Sequence, residues 1–349
     1  MSDLTDPISL KDLSPRELTD LLASWGYPAY RVRQLMRWIY QERETDFEQM
    51  TDLPLELRHQ LKKVADLKPL RIRQKRKSKD GTLKFLLEAT DGARIETVLI
   101  PAEEEQRATV CISTQVGCAM GCAICATGKM GFSRNLTCGE IIEQLLMAER
   151  YAKGPVTNVV FMGMGEPLAN YETVLDAIYA MTDPDRLAMG SRRITVSTCG
   201  LVPQIRRLAD EGLQIGLAIS LHAPEDELRN RLVPINRKYP LDQLVKAAAY
   251  YADKTKRRVT FEYALIEGVN DQRHHATRLV QLVRGLLCHV NLIPVNPVDG
   301  FCRPSDAVVT AFQEVVRRSG IPVTVRRERG GDILAACGQL ATSIGRTER

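Results

Sequence analysis

The chain has 349 residues, room for one large domain and a smaller one. Hydrophobic residues make up 44% and charged residues 26%, an ordinary balance for a globular protein, and no apolar run approaches the roughly 18–20 residues of a membrane span. The opening residues, Met1 to Asp6, are acidic and lack an apolar core, so no secretory leader is expected and a cytoplasmic location follows. Nine cysteines then read as thiols, metal ligands or catalytic groups, not as a disulfide framework.

Residues 1–66 predict a small helical domain. Ser14-Pro15-Arg16-Glu17 is a capping box with proline at the first helical position, followed by a stripe of Leu18, Leu21 and Leu22. A second helix over residues 29–41 places Val32, Leu35, Met36 and Ile39 on one face and Arg33, Gln34, Arg37 and Gln41 on the other. A third follows Pro54. Short helices with outward arginines suit an RNA-binding accessory module, and equally any small helical cap.

Residues 67–104 change period. Leu70-Arg71-Ile72-Arg73 alternates, Asp80-Gly81 signals a hairpin turn, and Leu83 to Leu87 returns; Ile95-Glu96-Thr97-Val98-Leu99-Ile100 adds a further strand. The expected unit is a small antiparallel sheet linking the helical module to the rest. The net charge of +5 is concentrated here: Lys68, Arg71, Arg73, Lys75, Arg76, Lys77 and Lys79 precede the first acid, Asp80. Such density suits a polyanion, since each phosphate contact releases a counterion. It also suits a hairpin edge kept soluble by lysine.

Residues 105–349 repeat strand, loop and helix. Strands are expected at 108–113, 158–162, 194–197, 215–220, 259–264 and 289–293, with helices including 139–152, 201–211 and 242–254. Alternating βα units predict an α/β fold with a parallel sheet and right-handed crossovers. Six units are too few for a closed eight-stranded barrel, so the expectation is a partial (βα)6 barrel, with its chemistry at the carboxyl ends of the strands.

The run Cys118-Ala119-Met120-Gly121-Cys122-Ala123-Ile124-Cys125 follows the first of these strands. Three thiolates can hold three irons of a cubane cluster and leave the fourth iron open for chemistry. A structural zinc site would want four ligands and paired C-x2-C knuckles, and only one C-x2-C is present; buried core thiols are the remaining alternative. Gly163-Met164-Gly165-Glu166-Pro167 follows the second strand and offers either a ligand-binding carboxylate or a tight turn with a capping acid. Ser197, the run Ser220-Leu221-His222, and Asn296 end later strands, as polar ligand contacts or as plain strand termini.

This constellation resembles the radical S-adenosylmethionine superfamily. One departure is Ile124, where the superfamily usually has an aromatic residue before the third cysteine. With Cys111, Cys337 in Ala336-Cys337-Gly338-Gln339-Leu340, Gly131-Phe132 and Arg134-Asn135, the resemblance extends over the chain and narrows to the RlmN family, the adenine-carbon-2 methyltransferases of 23S ribosomal RNA that also act on transfer RNA.

The resemblance implies a 4Fe-4S cluster on Cys118, Cys122 and Cys125, with S-adenosylmethionine contacted by Gly165, Glu166, Ser197, Ser220, Leu221, His222 and Asn296. It implies two S-adenosylmethionine molecules per turnover, one as methyl donor and one as radical source. Cys337 would carry the methyl group, Cys111 would release the product through a transient disulfide, and Glu96 is the candidate general base, its alternative being an outward strand residue. The implied partners are 23S rRNA, tRNA and an electron donor such as flavodoxin or ferredoxin; a monomer and no membrane are expected. The motifs do not separate carbon-2 from carbon-8 methylation of adenine. A zinc-stabilised RNA-binding protein without activity is the alternative from another class. Cys138, Cys199, Cys288 and Cys302 receive no role, and Arg326-Arg327-Glu328-Arg329 is either an RNA contact or a solvated strand end.

Overall fold

A computed structural model describes residues 7–102, 107–296 and 300–340. Residues 1–6, 103–106, 297–299 and 341–349, which fall within the ranges discussed above, lie outside the described residues.

The capping box forms as written: the Ser14 hydroxyl accepts from the Glu17 N–H (3.2 Å), and the Glu17 carboxylate accepts from the Ser14 N–H (2.8 Å). It starts α1 (Pro15–Ser24). Helix α2 (Tyr30–Met36) runs into a π-helical turn, Arg37–Gln41, and α3 (Leu55–Val64) completes the module. Leu18, Leu22, Val32, Leu35, Ile39, Leu57 and Leu61 are buried, so the predicted stripes are its core. A two-residue parallel pair, β1 (Ile8–Ser9) with β2 (Ala65–Asp66), joins its two ends. On the outward face of α2, Gln34 and Arg37 both donate to Asp52, so part of that face is occupied by its own module.

The remaining strands are β3 (Leu70–Lys77), β4 (Leu83–Ala89), β5 (Arg94–Pro101), β6 (Ala108–Cys111), β7 (Gln115–Gly117), β8 (Phe132–Asn135), β9 (Val156–Phe161), β10 (Ile194–Thr198), β11 (Gly216–Ser220), β12 (Val259–Leu265), β13 (Cys288–Pro294) and β14 (Val323–Val325). All but β7 and β8 belong to one sheet in the order β14-β13-β12-β11-β10-β9-β6-β5-β4-β3. From β6 to β14 the pairs are parallel; from β6 to β3 they are antiparallel. The hairpin strands expected as a separate linking sheet therefore extend the barrel sheet itself. The six predicted parallel strands are present, and β14 is an addition. Its three residues are too short for an alternating pattern to register in sequence.

Helix α4 (Ala126–Lys129) lies in the cysteine loop. Helices α5 (Cys138–Glu149), α6 (Tyr171–Thr182), α7 (Val202–Asp210), α8 (Asp226–Leu232), α9 (Leu241–Thr255), α10 (Arg273–Val283) and α11 (Asp306–Arg318) make the crossovers. The N-terminal module docks on α5: Lys11 forms a buried ion pair with Glu143 and donates to the Leu67 carbonyl (2.6 Å), while Asp12 accepts from the Gly139 N–H (2.6 Å). Among the described residues no helix is long and apolar enough to cross a membrane.

Beyond Leu70, edge strand β3 is exposed on both faces. Arg73 pairs with Glu88, and the Lys75 ammonium lies 4.4 Å from the Tyr151 ring centre. Arg71, Arg76 and Lys77 stand along the same exposed strand.

Candidate active site

The carboxyl ends of the parallel strands open into a cavity of about 190 Å³. Cys118, Cys122 and Cys125 line it together, with Gly165, Glu166, Ser197, Ser220, His222, Asn296 and Cys337. The parallel fold gathers these residues from six loops. Leu221 is the exception: it is buried without lining the cavity, its N–H donating to the Glu262 carbonyl and its own carbonyl accepting from Arg229.

The cysteine loop is shaped by backbone contact. Gly117 has φ +74°, and a Cβ there would come 1.8 Å from the Gly131 carbonyl oxygen, a position only glycine tolerates. The Gly131 carbonyl accepts from the Cys118 N–H (2.8 Å) and pins the loop to the β7–β8 ribbon. Gly165, at φ +102°, similarly packs its backbone against the side chain of Gln115.

Burial pushes the Cys118 thiol up to about 11 and raises Cys122 further; negative charge on neighbouring cysteines adds to the rise at both. Cys118 and Cys122, crowded in a low-dielectric cavity, are poor thiolates on their own. They suit a cationic metal cluster, which supplies the missing positive charge and displaces the protons.

Glu166 is almost fully buried. Its carboxylate accepts from the N–H groups of Leu168 (3.1 Å) and Cys199 (2.8 Å), so the capping role is real. The side chains of Thr198 and Cys199 also bond to the carboxylate, and the acceptor capacity that remains suits a ligand ammonium. Burial, partly opposed by the bond from Cys199, raises its pKa.

Arg229, missed in the sequence reading, organises the neighbouring strand ends. It is fully buried and donates to the carbonyls of Leu221 (3.1 Å), Cys199 (2.6 Å) and Ser220 (3.0 Å) and to the Asn236 amide oxygen (2.8 Å). One guanidinium thus ties the ends of β10 and β11 to α8.

His222 has a left-handed backbone (φ +59°), and its Nδ1 accepts from the Ala264 N–H (3.0 Å). Burial first, and Arg229 second, push its pKa down to about 3. The ordinary value is about 6.5, so below that pH the unfolded chain binds a proton that the folded chain refuses. The stability owed to neutral His222 is complete above about pH 6.5 and is lost as pH falls toward about 3, roughly 2 kcal/mol of it by pH 5. Urea denaturation at about pH 7.5 and pH 5 is expected to show a loss about 2 kcal/mol smaller in His222→Asn, since asparagine tolerates the left-handed backbone. Equal losses in variant and parent would exclude His222 as the source.

A second, smaller cavity of about 40 Å³ adjoins the first and is lined by Cys111, Val98 and Cys337. Pairing sets Arg76, Lys84, Val98 and Cys111 in one cross-strand row on a common face. The segment carrying Cys337 is held from both sides. Lys84 donates to the Leu334 carbonyl (3.0 Å) and the Gly330 N–H to Asp80 (3.0 Å); on the other side the Ala126 N–H donates to the Gly338 carbonyl (2.8 Å). Cys337 lines both cavities.

Glu96 is not the outward strand residue of the alternative reading. It is fully buried at the carboxyl end of the sheet and forms an ion pair with Lys84 (3.0 Å), lining neither cavity. Arg326 is not a solvated strand end either; it lines both cavities. Away from the site, Glu225, His274 and His275 bring possible metal ligands together. Arg278 already pairs with Glu225, and His275 Nδ1 accepts from the Gln272 N–H (3.3 Å), which leaves the ring proton on the nitrogen facing Glu225.

The radical SAM superfamily model matches residues 112–280, and the model for the ribosomal RNA large subunit methyltransferase N-terminal domain matches residues 8–67. The probable dual-specificity RNA methyltransferase RlmN of Thermoanaerobacter sp. (strain X514) is 48% identical over 335 residues, covering 95% of this chain and 97% of that protein. Its namesake from Carboxydothermus hydrogenoformans is 50% identical over 332 residues, covering 94% and 96%. The crystal structure of a radical SAM methyltransferase from Sphaerobacter thermophilus superposes with a TM-score of 0.93 at 50% identity, over 96% of this chain and 99% of that one. Likeness of this degree from end to end removes the inactive zinc-protein alternative: the chain belongs to the RlmN family of radical SAM RNA methyltransferases.

Proposed function

We propose that the protein methylates carbon-2 of a specific adenine in 23S rRNA, and of an adenine in tRNA, with Cys337 as methyl carrier and Cys111 as the group that frees the product. The observation that carries this reading is the shared position of Cys337, which lines the chamber of the three clustered thiols and also the cavity containing Cys111. The relatives' description as dual-specificity RNA methyltransferases supports two RNA substrates.

Cys118, Cys122 and Cys125 would hold the 4Fe-4S cluster, and Gly165, Glu166, Ser197, Ser220, Leu221, His222 and Asn296 would surround S-adenosylmethionine, Leu221 through its backbone. Bound there, cluster and cofactor supply a methyl group from one S-adenosylmethionine and a hydrogen-abstracting radical from a second. A radical route is required because adenine carbon-2 is too weak a nucleophile for direct displacement. Cys337 accepts the methyl group, and its activated S-methylene carbon adds to carbon-2 of a base unstacked from its RNA. Glu96 takes the carbon-2 proton in this reading; it must first exchange its contact with Lys84 for one with the base. One electron leaves the radical adduct along with that proton. The Cys111 thiolate then attacks the sulfur of Cys337, the S–S bond forming as the S–CH2 bond breaks. The methylene carbon on the base takes that electron pair and a proton to become the methyl group, and the electron donor reduces the disulfide before the next turnover. The exposed cations of β3 grip phosphates. A monomer in the cytoplasm, reduced by flavodoxin or ferredoxin, completes the reading.

The test is mass spectrometry of nuclease-digested rRNA and tRNA from a strain lacking the gene and from the same strain complemented with it. Restored 2-methyladenosine in both RNAs is the expected result. Restored 8-methyladenosine overturns the carbon-2 assignment, and a signal in rRNA alone overturns the dual substrate.

A further inference from the structure

The two cavities have six lining residues in common: Met162, Ile293, Asn296, Arg326, Cys337 and Leu340. Only Arg326 among them is charged. It follows β14, and its N–H donates to the Leu292 carbonyl (2.8 Å), which roots the side chain beside the end of β13. From there it faces Cys337 in both chambers and Cys111 in the second. We propose that Arg326 is the counter-cation of the two working cysteines, holding the Cys337 thiolate as it accepts a methyl group and the Cys111 thiolate as it forms afterwards. This deepens the carrier reading and rests on it.

The chemistry needs such a group. The Cys337 thiol gives its proton to solvent; the thiolate lone pair forms the S–CH3 bond while the bond from methyl to sulfonium breaks, and that pair stays on the departing neutral thioether. A thiolate in a closed cavity needs a nearby positive charge to form. Cys111 illustrates the difficulty: burial, then the charge of Cys337, push it up to about 12, with Arg326 opposing. Conversely Cys337 is the largest influence raising the pKa of Arg326, and Glu262 and Cys111 add to it.

The other charged groups leave this task to Arg326. Glu262 competes for the guanidinium, but its carboxylate also accepts from the Asn291 amide (2.8 Å), itself held by Thr324 (2.9 Å). In the second cavity Arg303 pairs with Asp306 (3.4 Å) and Glu328 (3.7 Å), and Arg327 and Arg329 line the second cavity but not the first. In the first, the remaining titratable groups are the ligand thiols, Cys199, Glu166 and the neutral His222.

The test reads Cys337 without RNA. Protein from iron-limited growth, loaded anaerobically with cluster and shown by peptide mass to carry no methyl on Cys337, is treated with iodoacetamide, and alkylation of each cysteine is followed by mass spectrometry. Near neutral pH, Arg326→Gln is expected to alkylate at Cys337 about tenfold more slowly than the parent. The deficit should shrink as pH rises, Arg326→Lys should keep most of the rate, and the exposed Cys302 should react alike in all forms. Glu262→Gln, which frees the guanidinium, should alkylate faster, and this holds the test open if Arg326→Gln fails to fold. Unchanged Cys337 rates in Arg326→Gln, a deficit that persists at high pH, or unchanged rates in Glu262→Gln overturn the proposal. Failure of the carrier reading shows separately, as active enzyme whose Cys337 peptide never gains a methyl group.

Discussion

Cys111→Ala protein is expected to remain covalently attached to its RNA through Cys337. In the proposed mechanism, addition of the Cys337 methylene carbon to the base would create a covalent tether through its sulfur. In the second cavity, Cys111 is the only other cysteine beside Cys337 among the described residues. Its removal leaves the tether without a sulfur nucleophile, so the complex should survive denaturing electrophoresis and add the mass of the modified nucleotide to the Cys337 peptide after nuclease digestion. Cys337→Ala should form no tether and lose all methylation, yet keep about four irons per chain, because its side chain is not a proposed ligand. Free, methylated RNA from Cys111→Ala at the parent rate would refute the release step. Methylation by Cys337→Ala would refute the carrier.

Arg229→Met should lower stability by about 4 kcal/mol and weaken S-adenosylmethionine binding together. The substitution matches the arginine stem in length but strands three backbone carbonyls and the Asn236 oxygen in a buried site. Each stranded acceptor costs about 1–3 kcal/mol, with partial relief as the loops relax. Because the carbonyls belong to Cys199, Ser220 and Leu221, that relaxation displaces the same strand ends that line the chamber. Urea denaturation and calorimetric titration of the cofactor read the two effects. Lost stability with unchanged cofactor affinity would separate the clamp from the binding site.

The readable parts of this chain were those written in local pattern. The capping box at Ser14, the helical stripes and the six longer parallel strands each depend on neighbours in sequence, and each formed. The three cysteines were legible as a group because they lie close together in sequence, and the fold brings all three to one cavity. What escaped depends on distant partners. Arg229 sits in α8 among other charged residues, and nothing local says that its side chain turns inward to three carbonyls. Arg326 heads a run of arginines that looks solvated, and only the fold brings it to two thiols from opposite ends of the domain. Glu96 kept its place in a strand, but its partner Lys84 comes from the preceding strand through a register that sequence does not display. Gln34 and Arg37 looked available for RNA until the fold delivered Asp52 to them.

The continuity of the hairpin strands with the barrel makes the sheet a ruler. Arg76, Lys84, Val98 and Cys111 occupy one row across four hydrogen-bonded strands. Three inter-strand steps of about 4.8 Å set the basic edge roughly 14 Å from Cys111. A ladder of backbone bonds does not stretch, so this spacing holds whatever RNA arrives. In the proposed reading, a phosphate held on β3 would lie close in space to the base in the chamber. Two RNAs of different sequence can satisfy such a gauge if each offers an unstackable adenine at that short distance from a reachable phosphate, so what they must have in common is local shape, not length or overall fold.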